Sequence, residues 1–351
     1  MVAGVRNILE SSPVEACAAC RIDCGGTLDI KTLSDPLKHL SPCTFNIALD
    51  MKTRVKLLPY ALGRIKVSSR GLGTEVQSVD NVSFGGPLGL IFAIAMHFRV
   101  DGVHIEIASE SPPRSALGGS STAAVALIGA LSKALAKEGS PPMTNEEIVL
   151  LAHRVEETVA GVPCGLQDQL AAVFGGVHAW HWPTGPEDPR FKGSEILTSK
   201  DYPDLEAALL LAYCGVPHVS HDINKRWIDQ FVSGETRPLW TEIVSSTKTF
   251  VEAVKGKDWH NAVAAMNKEV EIRRKMTPDV FDEVGNALVE GALALGCGAR
   301  FTGAGGGGCL WALGEEKKIG ALRPVWMEIL SAREDARLLE ARVAPKGLQV
   351  A

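Results

Sequence analysis

One junction restricts this chain more than any other. The stretch "GVHIEIASESPPRSALGGSSTAAVALIGAL", residues 102–131, runs from strict alternation through a proline-stopped glycine-serine turn into small apolar residues. The period of two predicts a half-buried strand, and the run after Ser120 predicts a helix. A strand that turns into a helix there exposes N–H groups with no intrahelical partner, and the helix dipole adds partial positive charge. Such a turn binds anions. Glycine at 118 and 119 permits close approach of a ligand. The serine hydroxyls add donors, and one of them can ligate Mg²⁺. A Walker loop would carry a lysine just before the serine or threonine, and none stands here. The competing reading, that Gly and Ser only begin a helix, stays open on this segment alone.

With 351 residues the chain suffices for two ordinary domains or one large one. Hydrophobic residues at 46% and charged residues at 22% give an ordinary globular composition. A net charge of −5 without a basic stripe excludes a general nucleic-acid binder. No segment approaches the roughly 18 uninterrupted apolar residues of a membrane span, and "MVAGVRNILESSP" lacks the apolar run of a secretory signal. Eight scattered cysteines read as reduced thiols, so a cytoplasmic setting without nucleic-acid or membrane partners is expected. Cys17 and Cys20 have metal-ligand spacing, but no second Cys/His pair follows, which favours small buried thiols on a strand.

"VEACAACRID", "CTFNIALDMKTRVKLLPY" and "RIKVSSRG" read as strands, and "GPLGLIFAIAMHFRV" as a helix. "TNEEIVLLAHRVEETVAG" opens with Thr144 and has Glu147 three residues on, the pattern of a capping box. After "VHAWHWPTGPEDPRFKGSEI" the composition turns loop-like, which sets a domain boundary near residue 185 and predicts units of 1–185 and 186–351. Beyond it, "EAALLLAYCG" reads as a strand. "HDINKRWIDQFV", "RPLWTEIVSSTKTFVEAVKG", "DWHNAVAAMNKEVEIRRKM" and "DVFDEVGNALVEGALALG" read as helices, and "ARLLEARVAP" is expected to complete the sheet.

Three further segments carry chemistry. "GAGGGGC" contains G-x-G-x-x-G at Gly303, Gly305 and Gly308, but a strand rather than a helix follows it, so the nicotinamide reading is poor. A glycine turn packed against a ligand or against the first loop fits better. In "HRVEETVAGVPCGLQDQ", Glu156 ends a helix and Asp168 lies between Gln167 and Gln169. Phosphoryl transfer needs one carboxylate on a metal and another near the attacking hydroxyl. "RIDCGGTLD" gathers Arg21, Asp23 and Asp29 around a glycine turn, where they either bind a polyol or brace the turn.

Taken in this order the segments resemble the GHMP kinases, the family of galactokinases and of homoserine, mevalonate and phosphomevalonate kinases. "RIDCGGTLD" resembles the first family motif as fucose and heptose kinases carry it, "PPRSALGGSSTAA" the second, and "RFTGAGGGGCLWAL" the third. "GLQDQLAAVFGG" is similar to the segment with the catalytic aspartate in sugar-kinase members. "VSHDINKRW", with Ser220, Asn224 and Arg226, is similar to a galactokinase element. The resemblance implies an α+β fold, with a ribosomal-protein-fold-like N-terminal domain and a ferredoxin-like C-terminal one. It implies transfer of the ATP γ-phosphoryl group to a sugar hydroxyl, the anomeric one of a hexose or heptose, by a monomer or homodimer. A hydroxy-acid kinase and a non-catalytic homologue are the alternatives. Leu117, Gly118, Gly119, Ser120, Ser121 and Thr122 would hold ATP, and Ser121 with Glu156 would hold Mg²⁺. Asp168 would be the base beside Arg21. Asp29, Gly26, Asp168, Gly305 and Gly306 would face the sugar. Arg114 and Ala116 stand where the second motif often has glycine, and His218 stands where heptose kinases tend to have arginine.

Overall fold

The computed structural model describes residues 4–137, 139–183, 188–217 and 220–351. Helix α1 (Gly4–Ser11) leads into β1 (Val14–Cys24), a tight turn, and α2 (Lys31–Ser34). Three strands follow, β2 (Cys43–Pro59), β3 (Arg64–Ser69) and β4 (Gly73–Ser78). The chain continues through α3 (Gly89–His97), β5 (Val103–Ser109), α4 (Gly119–Ala136), α5 (Asn145–Ala160) and α6 (Gln167–Phe174). A hairpin of β6 (Val177–His181) and β7 (Lys192–Leu197) precedes α7 (Tyr202–Ala207) and β8 (Leu209–Tyr213). Four helices then run in succession, α8 (Ser220–Val232), α9 (Arg237–Lys255), α10 (Trp259–Met276) and α11 (Glu283–Ala294). The chain ends with β9 (Gly298–Phe301), β10 (Cys309–Leu313), α12 (Glu316–Leu330), β11 (Arg337–Leu339) and β12 (Gln349–Val350).

The first sheet runs β12-β1-β2-β5-β3-β4, with β6 on β2 and β7 on β6. The length of β2 allows this: its first residues pair with β6 and its last with β5. The register of β1 on β2 shifts between Ala19 and Cys20. Before the shift, Val14, Ala16 and Ala18 enter the core beneath α3–α6. After it, Cys20, Ile22 and Cys24 enter the core shared with the second half. The second sheet has the order β11-β8-β10-β9, all antiparallel, which is 4-1-3-2 in its own strand count.

The junction at 102–131 folds as its pattern predicts, with β5 passing into α4. Among the described residues α4 alone is long and apolar enough to cross a membrane, yet most of it is buried. It packs on β1, β2, α5 and α6, so an apolar surface all round reflects a helix surrounded by protein. The Thr144–Glu147 capping box is present in full.

Three expectations need correction, and one helix had no sequence-based expectation. The first sheet does not stop near residue 185: β7 pairs with β6, so the sheet runs to Leu197 and the loop-like stretch holds two strands. "ARLLEARVAP" serves both sheets, because Arg337–Leu339 edges the second while Val343 bridges Leu49 in the first. The last strand likewise returns to β1. "DVFDEVGNALVEGALALG" becomes helical only at Glu283, where the Asp282 side chain accepts from the Gly285 amide. Helix α12 went unread: Ile319, Leu322, Trp326 and Leu330 form its buried stripe, but Pro324 in its middle is a residue that ordinarily ends a helix.

Candidate active site

A cleft of about 530 Å³ lies where the two sheets meet, bordered by the 111–121 loop, the 27–30 turn, the start of α6, and Asn224, Gly303 and Ala304. Gly118 caps α4 in the left-handed conformation, φ 77°, and brings no side-chain cap. The first amides of an 18-residue helix therefore face the cleft with their dipole. A methyl group at Gly118 would sit 3.2 Å from Asp168 Oδ2, so the aspartate lies close beside the loop and only a glycine leaves the gap between them open.

Arg21 on β1 fixes that aspartate. Its Nε donates to Asp168 Oδ1 at 2.8 Å and its Nη2 lies 2.7 Å from the same oxygen, while Nη1 donates to the Ala116 carbonyl at 2.6 Å. Burial opposes the guanidinium charge, but Asp168 and Asp23 outweigh it and hold the Arg21 pKa above its ordinary value. With Oδ1 engaged twice, Oδ2 is the oxygen turned toward the phosphate loop.

Ser121, in the first turn of α4, donates to Glu156 Oε2 at 2.7 Å, and Gln169 Nε2 donates to the same oxygen at 2.7 Å. Burial raises the Glu156 pKa to about 7, against the pull of the Ser121 hydrogen bond. Hydroxyl, carboxylate and the buried, unpartnered Gln169 Oε1 form a hard-oxygen donor set. Mg²⁺ is commonly held by one or two carboxylates plus substrate phosphates, and this set fits that pattern. Among the described residues no group of three or more His, Cys, Asp or Glu could hold a metal ion without such help.

Asp29 does two things. Its Oδ2 accepts the Gln167 amide at 3.0 Å, capping α6 from 138 residues away, while its Oδ1 is buried without a partner. Burial raises its pKa to about 6; the Gln167 amide opposes the shift and Asp168 adds to it.

Other expected residues lie elsewhere. Gly26 is buried outside the cleft lining, its carbonyl taken by Arg273. Gly305 and Gly306 fall outside the cleft lining, which reaches Gly303 and Ala304, and their amides bond Thr302 and Val280. Leu117 gives its carbonyl to the Arg21 amide, and the Thr122 hydroxyl donates to the Gly118 carbonyl. Both brace the loop from behind. Arg226 pairs with Asp279 at the surface, 2.7 Å away. His218 lies outside the described residues, as does the side chain of Ser220. Cys17 and Cys20 are buried on β1, and burial pushes the Cys20 thiol up, away from the thiolate a metal needs.

The third glycine segment packs against the phosphate loop. The Cys309 amide donates to the Ser115 carbonyl at 2.9 Å, and a methyl on Gly308 would meet that oxygen at 2.6 Å. Arg114 and Ala116 adopt left-handed φ values of 53° and 62°. Two positions where the motif often has glycine thus keep a glycine-like backbone under other side chains.

Of the charged layer beneath the site the residue order points to Asp23 alone, with Glu269 and Arg300 reaching it from distant segments. Asp23 accepts the Gly303 amide at 2.7 Å and Arg300 Nη1 at 3.0 Å, and Arg300 Nε donates to Glu269 at 3.0 Å. All three side chains are wholly buried. One further local signal existed: Glu269 and Arg273 fall on the same stripe of α10 as Ala262, Met266 and Val270.

Residues 88–176 match the family model described as GHMP kinases N terminal domain. The mevalonate kinase of Thermococcus sibiricus is 26% identical over 299 residues, covering 77% of this chain and 82% of that protein. Probable glucuronokinase 2 of Arabidopsis thaliana is 31% identical over 157 residues, 43% of this chain and 41% of that protein. The solved structure of Lactococcus lactis galactokinase complexed with galactose superposes with a TM-score of 0.73, covering 96% of this chain and 95% of that one at 15% identity.

Proposed function

We propose that this chain, a small-molecule kinase with the GHMP kinase fold, transfers the γ-phosphoryl group of ATP to a sugar hydroxyl. The observation that carries this reading is the closeness of Asp168 Oδ2 to the Gly118 turn, with Arg21 gripping the other oxygen. A base set beside a triphosphate cradle is what in-line transfer to a hydroxyl requires.

The α4 amides would bind the phosphates, and Asp168 would orient the acceptor hydroxyl and take its proton. Arg21 would hold Asp168 aimed. Ser121 and Glu156 would hold Mg²⁺, which when bound neutralises charge on the phosphate oxygens. The apolar rim of Leu72, Leu88, Ile91 and Pro113 suits a nucleobase.

The choice of a sugar rests on unmet acceptors. Asp29 Oδ1, Gln167 Oε1 and Asn224 Oδ1 belong to residues that line the cleft, and all are buried without a partner. Each buried unsatisfied oxygen costs about 1–3 kcal/mol, so a ligand rich in O–H donors is favoured there. An amide can turn over and present its NH₂ instead; the Asp29 carboxylate cannot, so the sugar reading leans on Asp29. Among the described residues the cationic lining is Arg21, Arg70 and Arg114. Arg21 is engaged by Asp168, and Arg114 belongs to the phosphate loop. The likeness of the first motif to fucose and heptose kinases directs the reading to an anomeric hydroxyl.

A hydroxy-acid acceptor is the second reading, and the mevalonate kinase relative, 82% of whose length this chain covers, favours it. An ADP-release assay over hexoses and heptoses, with and without a terminal phosphate, set beside mevalonate and homoserine, separates the two. Turnover on an acid with none on any sugar would overturn the proposal.

A further inference from the structure

The acceptor end of the cleft is held from behind by one side chain. Arg273 on α10 is wholly buried, its guanidinium carbon 4.5 Å from the ring centre of Trp227 on α8 and 4.6 Å from that of Trp240 on α9, in the corner the two indoles form at 81° to each other. It donates to Glu269 Oε1 at 2.8 Å, to Thr27 Oγ1 at 3.1 Å and to the Gly26 carbonyl at 2.7 Å. The turn it grips is left-handed at Gly25 and Thr27, with φ of 67° and 74°, a costly conformation for a β-branched residue. Two residues beyond that turn is Asp29. On α8, Asn224 precedes Trp227 by three residues, so the tryptophan that packs against Arg273 lies within one helical turn of it. Both Asp29 and Asn224 line the cleft.

We propose that Arg273 is a positioning residue for the acceptor. It sets Asp29 through the 25–27 turn and Asn224 through the Trp227 ring; its own hydrogen bonds go to Glu269, Thr27 and Gly26, none of them on α4, and it reaches the glycine segment only at second hand through Arg300 and Asp23. The proposal rests on reading this cleft as a sugar-kinase site. Only a multiply donating, delocalised cation serves: a guanidinium donates to three acceptors while its charge lies against two indoles set nearly at right angles. An ammonium can do neither as well.

The test uses the full chain with Arg273→Lys and Trp240→Phe. Steady-state constants are measured with the hexose that the wild type turns over fastest, and AMPPNP with Mg²⁺ is titrated calorimetrically. Amide exchange is followed over 25–29 and 220–232, with 119–136 as control. In Arg273→Lys the acceptor KM is expected to rise about tenfold or more, with KM for ATP and the AMPPNP Kd within about twofold. Exchange should quicken at 25–29 and 220–232 but not in α4. Trp240→Phe should shift the acceptor KM in the same direction by about two- to threefold, and it decides the question if Arg273→Lys does not fold. Equal rises in both KM values, a kcat loss without an acceptor KM change, or unaltered exchange at both segments would overturn the assignment. If the wild type turns over no hexose, the sugar reading fails on its own, and exchange together with AMPPNP binding still decides the role of Arg273.

Discussion

Asp168 spends one oxygen on Arg21 and keeps the other toward Gly118. Replacing it with Asn keeps the shape but removes proton acceptance. Turnover should fall by about 10²–10⁴-fold while calorimetric Mg·AMPPNP affinity stays within about twofold; activity that survives would remove Asp168 from the mechanism. Asp29 makes a pH prediction. Its carboxyl moves from 3.8 to about 6 because burial penalises the charge. The folded pKa lies above the unfolded one, so its contribution to stability is full below about pH 4 and is lost as pH rises through about 6. Urea unfolding of wild type against Asp29→Asn from pH 4 to 7 should show the wild type losing ground across that window. The acceptor KM should move the other way, worsening as pH drops below about 6 and the acceptor oxygen is protonated.

The phosphate loop depends on the glycine segment behind it. Ser115 and Ala116 both give their carbonyls away, to Cys309 and Arg21, and these bonds hold Arg114 and Ala116 in left-handed backbone. Gly308→Ala puts a methyl 2.6 Å from the Ser115 oxygen at a residue with φ 81°. We expect a loss of about 1–3 kcal/mol in stability and a weakening of Mg·AMPPNP binding of about tenfold. Unchanged nucleotide affinity in calorimetry would show that the glycine segment does not shape the loop. The strand–glycine–helix junction was legible, since it needs only local residues in local order. Its brace was not: a glycine repeat reads alike whether it touches a cofactor or another loop.

The two halves of the molecule are bound together by more than the cleft. The C-terminal segment crosses back to the first sheet and to α6: the Ala344 amide bonds Ala48 on β2, the Leu348 amide bonds Val173 on α6 and the Ala351 amide bonds Glu15 on β1. The Leu348 side chain lies against Gly129 of α4. Deleting residues 343–351 removes these contacts and uncovers the helix that carries the phosphate loop. The urea midpoint should fall by the equivalent of a few kcal/mol, with tighter proteolytic susceptibility in the first half than in the second; an unchanged midpoint would make the return strand dispensable. Composition gave no sign of this crossing, because β12 is two residues long and pairs with a strand more than 300 positions earlier.

Periodicity and capping depend on neighbours within a turn, so β5, α4, the Thr144 cap and the helices α8–α10 could be read directly from residue order. So could the grouping of Arg21, Glu156 and Asp168 as chemistry-bearing candidates. Long-range closure decided everything that two distant segments do jointly: Asp29 capping α6, Asn224 entering the cleft, Gly306 spending its amide on Val280, and Arg273 reaching Thr27. Such contacts leave no local trace, because a buried carboxylate or guanidinium takes its partner from whichever surface folding delivers to it.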